Sequence, residues 1–67
     1  MPIYKITSED RAKILASDRC RAIGIVDNAH VDHGTHHTMA LSKNVAQLLR
    51  DELGVEAEYV HAVEHAV

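Results

Sequence analysis

The core of this chain has to be built almost without aromatic side chains. Apart from histidine, Tyr4 and Tyr59 are the only aromatic residues among 67, and the chain has no Phe or Trp. A domain of about 60 residues buries only roughly 60% of its unfolded surface, so small domains usually need a disulfide, a metal or a partner subunit. Because Cys20 is the only cysteine, a disulfide within the chain is excluded. We therefore expect a single small domain over residues 1–67 that relies on a metal or forms a homo-oligomer.

The charge and hydropathy of the chain exclude several classes of protein. A formal net charge of −3 and the near absence of aromatic stacking groups disfavour binding to nucleic acid. No run approaches the about 20 apolar residues that a membrane-spanning helix needs. The first residues include Pro2 and Lys5 and no long apolar segment follows, so we expect no secretory signal. These features predict a cytoplasmic protein without a membrane segment.

The first third of the chain predicts a strand, a helix and a second apolar segment. Residues 2–7 alternate and are rich in β-branched types, which favours a strand. Ser8 is then suited to be the N-cap of a helix that runs to about Ser17, with an apolar stripe of Ala12, Ile14, Leu15 and Ala16. The apolar run from Cys20 to Val26 favours a buried strand. The alternative is one long helix from Ser8 through His33.

The second half contains the clearest helical pattern. Apolar residues recur at helical spacing at Met39, Leu41, Val45, Leu48, Leu49 and Leu53. Gly54 follows at the position typical of a C-terminal cap, while Thr38 or Ser42 can serve as the N-cap. Residues 55–67 alternate in a way that favours a strand, although a helix is also compatible. The predicted order is β-α-β-loop-α-β, a small α/β or α+β domain.

Four of the six histidines lie between Asn28 and His37. Imidazole is the commonest transition-metal ligand, and its charge changes near neutral pH. His30 and Asp32 are two residues apart, as on one side of an extended segment, and His33 and His37 are four apart, as on one helical turn. The hypothesis is a divalent metal site, most simply for zinc, with His30, Asp32, His33 and His37 as ligands. A solvated loop in which Asp32 or Thr35 caps backbone amides is the alternative.

This segment resembles a motif of the metallo-β-lactamase superfamily, in which a strand is followed by HxHxDH and a helix. His30, Asp32 and His33 fall on the second His, the Asp and the last His, and Asn28 stands at the first His. The resemblance implies a metal site, and Asn28 limits it to one ion. It covers about a dozen residues of a domain that is several times longer in that superfamily, so the metal is expected to have a structural or regulatory role rather than a hydrolytic one.

The amino terminus resembles a different family, the tautomerases. The chain begins Met-Pro-Ile, and the order of the helix up to Gly54 and the strand around Tyr59 is similar to that family. The resemblance implies that Pro2, exposed by removal of Met1, is a general base, and that the chain assembles into an oligomer. A secondary amine whose pKa is lowered in an apolar pocket is suited to this role. Pro2 as the first residue of an edge strand is the alternative.

A third hypothesis is a non-catalytic protein–protein interaction module, in which the apolar stripe of the Thr38–Leu53 helix is the contact face. Such stripes more often belong to the core. His61 and His65 are expected at or near the surface. Cys20 is expected to be a small buried apolar residue.

Overall fold

A computed structural model describes residues 2–62, which form a small α+β domain. The elements are β1 (Pro2–Ile6), α1 (Ser8–Ala16), α2 (Asp18–Ala22), β2 (Val31–Asp32), β3 (His37–Ala40), α3 (Lys43–Leu53) and β4 (Glu58–Ala62). The four strands form one sheet in the order β2-β3-β1-β4, and every neighbouring pair is antiparallel. The predicted fold class is confirmed as α+β, with one helix and one strand more than the predicted order contains.

Strand β1 is central and sets the faces of the sheet. Tyr4 lies opposite Met39 on β3 and opposite Tyr59 on β4, while Lys5 lies opposite Thr38 and Glu58. Because directly opposed residues share a face, Tyr4, Ile6 and Met39 lie on one side of the sheet. All three are buried in the core together with Ile14, Leu49 and Cys20, one from each helix. The helices therefore cover this face, and the face with Lys5 and Thr38 is open.

The predicted ends of the helices are mostly correct, and each cap has a hydrogen bond that explains it. Thr7, rather than Ser8, is the N-cap of α1, because its hydroxyl accepts from the Asp10 amide at 3.1 Å. The Ser42 hydroxyl caps α3 by accepting from the Val45 amide at 3.2 Å. Gly54 ends α3 in the left-handed conformation with φ +66°, as predicted.

The predicted strand over Cys20–Val26 is wrong, and so is the alternative of one long helix. Ser17 ends α1 and begins α2, because its hydroxyl accepts from the Cys20 amide at 3.2 Å. Helix α2 ends at Ala22, and Gly24 follows with φ +75°. The apolar run therefore divides into a short helix and a turn, and Cys20 is buried as expected.

A buried arginine holds the segment that follows. Arg11 is 5% exposed, and its guanidinium donates to the Val26 carbonyl and to Asp27 Oδ1, the latter at 3.1 Å. Its Nε has no hydrogen-bond partner within residues 2–62. The predicted apolar stripe of α1 is therefore only partly correct. Ile14 is fully buried, whereas Leu15 is 47% exposed because Asp10 and Arg11 take the inner positions.

The structure of residues 37–62 agrees better with its prediction than that of residues 8–26. Residues 37–40, expected as the start of the helix, form β3 instead, and α3 begins only after Ser42. Leu49 is in the core, with Val45, Ala46 and Leu53 packed against it, so the apolar stripe of this helix is part of the core. The strand expected after Gly54 is confirmed over Glu58–Ala62, and residues 63–67, with His65, lie outside the described residues.

Candidate functional site

The histidine-rich segment folds as a β-hairpin rather than as a loop entering a helix. Strands β2 and β3 pair, and the His33 amide donates to the His36 carbonyl at 2.9 Å where the chain reverses. Gly34 has φ +85° in this turn, and its amide donates to Asp32 Oδ1 at 2.8 Å. Of the two residues named as caps in the alternative of a solvated loop, Asp32 thus accepts a hydrogen bond from a backbone amide.

The pairing of the two strands divides the histidines between two faces. Asp32 lies directly opposite His37, so both side chains lie on the helix-covered face of the sheet. His30 is on this side as well, because its ring contacts that of His37. Adjacent residues of a strand alternate, which places His33 and His36 on the open face. The expectation that His33 and His37 share one helical turn is therefore wrong.

His30 and His37 meet through their ring nitrogens. Nε2 of His30 is 2.8 Å from Nδ1 of His37, the ring centres are 5.0 Å apart and the planes differ by 17°. The distance between the centres is close to the nitrogen–nitrogen distance plus two ring radii. The rings therefore meet edge to edge in nearly one plane, with one nitrogen donating the shared hydrogen and the other accepting it.

The other ring nitrogen of His37 faces a hydroxyl. Ser8 Oγ is 3.4 Å from Nε2 of His37, at the start of α1. Ser8, His37 and His30 thus form a row of one hydroxyl and two imidazoles. No local sequence pattern indicates this contact, because 29 residues separate Ser8 from His37.

The surroundings of His30 favour its neutral form. Partial burial, the nearby Arg11 guanidinium and His37 all lower the pKa of His30 below its usual 6.5. Arg11 is thus a second residue whose proximity the sequence did not reveal. A neutral imidazole is the form that ligates a metal ion.

Asp32 supplies the negative charge on this face. The hydrogen bond from the Gly34 amide, and after it the charges of His37, His30 and His33, lower the pKa of Asp32 below its usual 3.8. Asp32 is therefore a carboxylate at neutral pH, with one oxygen held by the turn. The three groups together form what we call the His30–His37 cluster, which consists of His30, Asp32 and His37.

The open face carries a second pair of rings. His33 and His36 have centres 4.7 Å apart and planes that differ by 13°, so they lie nearly parallel. Nε2 of His33 is 2.8 Å from Thr38 Oγ1, and Nδ1 of His36 is 3.0 Å from Thr35 Oγ1. Partial burial, followed by the charges of His33, Lys5 and His37, lowers the pKa of His36 below 6.5. Hydroxyl groups thus occupy one nitrogen of each ring.

The four predicted ligands are therefore not assembled at one point. His30, Asp32 and His37 share a face, while His33 lies with His36 on the other. Within residues 2–62 no group of three or more His, Cys, Asp or Glu side chains is already arranged to hold a metal ion. Metal binding thus stays a prediction that requires side-chain adjustment.

Pro2, the residue expected as a general base, begins β1 and lies opposite Ala62. It lines a cavity of about 440 Å³ together with Tyr4, Lys43 and Tyr59. Among the other singled-out residues, His61 is exposed, as expected.

Comparison with models of protein families, with curated proteins and with solved structures finds no match to this chain. The resemblances of the histidine segment and of the amino terminus stay predictions. Across residues 2–62 there is no helix with the length and apolar character needed to cross a bilayer.

Proposed function

We propose that the protein binds one divalent transition-metal ion, most simply zinc, at the His30–His37 cluster. The observation that carries this proposal is the 2.8 Å contact between two ring nitrogens on the face that also carries Asp32. Zn–N bonds are about 2.0–2.1 Å long, so two imidazole nitrogens on one tetrahedral ion are about 3.3 Å apart. An ion held by both rings thus requires the nitrogens to separate by about half an ångström and both rings to turn so that these nitrogens point at the ion.

The remaining ligands follow from the same face. Asp32 has one oxygen in the turn and a second oxygen available for coordination after a rotation of its side chain. Two imidazoles and one carboxylate leave a fourth tetrahedral position for water or another ligand. The hydrogen shared by His30 and His37 has to move to another ring nitrogen when the ion enters, so that each ligating imidazole stays neutral and keeps one N–H. Because an imidazolium cannot ligate a metal ion, affinity should fall on acidification toward about pH 5.

The two histidine pairs provide a matched experiment. We would titrate Zn²⁺ by calorimetry into wild type, His30→Ala/His37→Ala and His33→Ala/His36→Ala, all purified without a histidine tag. We expect one ion per chain in wild type and in the second variant, and an affinity at least about tenfold lower in the first. Equal affinities in all three proteins, or absence of binding to wild type, would refute the site.

We also infer that the role of the metal is structural or regulatory and that the protein acts as a homo-oligomer in the cytoplasm. The small core supports self-association, as do Val31 and Val60, which are 50% and 46% exposed. Light scattering after size-exclusion chromatography tests the oligomer, with and without Zn²⁺. A monomer at all concentrations, with a melting temperature independent of concentration, would contradict this inference. If the protein is instead an interaction module without metal, its melting temperature should also depend on protein concentration, and a chelator should not change it.

A second candidate function is proton transfer by the amino group of Pro2, as in a tautomerase. The observation that favours it is the 440 Å³ cavity beside Pro2, within the range of about 300–1,000 Å³ typical of small-molecule sites. The mechanism requires removal of Met1, which intact-mass measurement decides. Turnover of an enol or a 2-keto acid should then disappear in Pro2→Ala. Retention of Met1, or unchanged turnover in this variant, would exclude the mechanism.

A further inference from the structure

Two neighbouring cavities form a groove between α3 and the strands β1 and β4. The first, of about 440 Å³, is lined by Pro2, Tyr4, Lys43 and Tyr59. The second, of about 200 Å³, is lined by Tyr4, Lys43, Ala46, Gln47, Arg50 and Ala57. Because Tyr4 and Lys43 line both cavities, the two cavities adjoin each other, and we call them together the Tyr59 groove. The groove is separate from the histidine hairpin.

Within residues 2–62, the charged side chains that line the groove are Lys43 and Arg50, both positive. Lys43 and Arg50 are two helical turns apart on α3, so they lie on the same side of the helix. Both are exposed, and neither takes part in the ion pairs found within residues 2–62, which use Arg11, Lys13, Arg19 and Arg21. Among the described residues, no carboxylate lines either cavity. In a chain with net charge −3, such a surface selects for an anionic ligand.

The groove also presents an aromatic ring. Tyr59 is 57% exposed, whereas Tyr4 is buried. The two rings are 5.9 Å apart and differ by 78° in orientation, so the buried Tyr4 supports Tyr59 through a perpendicular contact. Tyr59 is therefore held in place while more than half of its surface remains open. A held, exposed ring is suited to stacking with a planar ligand.

We propose that the Tyr59 groove binds a small ligand that combines a planar aromatic ring with an anionic group. The ring of the ligand stacks on Tyr59, and its carboxylate or phosphate is held by Lys43 and Arg50. The exposed ring of Tyr59 beside a cavity of about 440 Å³ carries this assignment, together with Lys43, which lines that cavity, and Arg50, which lines the adjoining one. It rests neither on metal binding nor on catalysis by Pro2.

The test uses four probes and the ¹⁵N-labelled protein. Adenosine 5′-monophosphate and benzoate each combine a ring with an anion, whereas adenosine lacks the anion and inorganic phosphate lacks the ring. We expect at least one of the first two to shift the amide signals of Lys43, Arg50 and Tyr59, with an affinity about tenfold or more above that of the two incomplete probes. A preference for the nucleotide assigns a phosphate ligand, and a preference for benzoate assigns a carboxylate.

Variants connect the binding to the groove. Lys43→Gln/Arg50→Gln and Tyr59→Leu should each weaken binding about tenfold. Lys5→Gln removes an exposed lysine from the open face of the sheet and should have no effect. The ¹⁵N spectrum of each variant shows whether it is folded. Unchanged affinity in the groove variants, equal binding of inorganic phosphate, or no shift with either complete probe would overturn the proposal.

Discussion

The two faces of one hairpin present the same pair of side chains in different surroundings. On the helix-covered face, the nitrogens of His30 and His37 face each other directly, with Asp32 on the same face. On the open face, His33 and His36 lie nearly parallel, and threonine hydroxyls occupy one nitrogen of each ring. The number of histidines in a segment therefore does not define a site. The register of the strands decides which nitrogens can converge.

The largest expected effect concerns Arg11, which holds the segment leading to His30. Arg11→Ala removes hydrogen bonds to the Val26 carbonyl and to Asp27, and we expect it to lower the free energy of unfolding by about 1.5–3 kcal/mol. Urea denaturation measures this change. Asp27→Asn is the control, and because Asp27 is exposed its effect should be within about 1 kcal/mol. If the two variants are equally destabilised, the exposed ion pair and not the buried contact holds the segment.

The next prediction concerns the charge of Asp32, which lies on the helix-covered face of the hairpin. Asp32→Asn keeps an oxygen that accepts from the Gly34 amide but removes the charge, so the turn should persist. We expect zinc affinity to fall about tenfold or more, because a carboxylate ligand is lost. Calorimetric titration measures the change, with His33→Ala as a control on the open face. An affinity as high as that of wild type would exclude Asp32 as a ligand.

A smaller effect on stability is expected from a substitution in the turn that connects β2 and β3. Gly34 has φ +85°, and a Cβ added there meets no atom within 4 Å, so the cost of Gly34→Ala is conformational. We expect a loss of about 1 kcal/mol in stability, measured by thermal denaturation. Gly54→Ala, at φ +66° and also in open space, is the matched control outside the hairpin. Weaker zinc binding in Gly34→Ala only would show that the turn positions the cluster.

The smallest effect is a pH dependence to which both faces contribute. The pKa values of His30 and His36 are lowered in the folded protein, so the unfolded chain binds more protons near its own pKa of about 6.5. Stability should therefore fall as pH is lowered from about 7.5 to 5.5 in the presence of a chelator. His30→Gln/His36→Gln should reduce the slope of unfolding free energy against pH. An unchanged slope would show that other groups cause the dependence.

The local signals in the sequence predicted the local structure well. Gly54 ends α3 because a left-handed residue follows the helix, and β1 follows from its β-branched alternation. Cys20–Val26 was predicted incorrectly because a short apolar run does not distinguish a buried strand from a helix. The hydroxyl of Ser17 and the distant contact from Arg11 decide the outcome there.

The sequence predicts most of the residues of the candidate site but not how they are arranged. His30, Asp32 and His37 were among the expected ligands, and the structure brings them to one face. The spacing of four residues between His33 and His37 places both on one ion only if this segment is helical, whereas β3 begins at His37. Its actual position follows from the pairing of Asp32 with His37, which no local pattern encodes. Ser8 and Arg11 reach the cluster only through the packing of α1 against the sheet.

If the metal site is confined to the helix-covered face of the hairpin, the ring nitrogens of the four histidines should respond differently to zinc. We would record long-range ¹H–¹⁵N spectra of the imidazoles during a titration with Zn²⁺ at neutral pH. We expect the ring nitrogens of His30 and His37 to shift to metal-bound positions at one equivalent, while those of His33 and His36 keep their positions. Shifts in all four rings together, or in His33 and His36 alone, would contradict it.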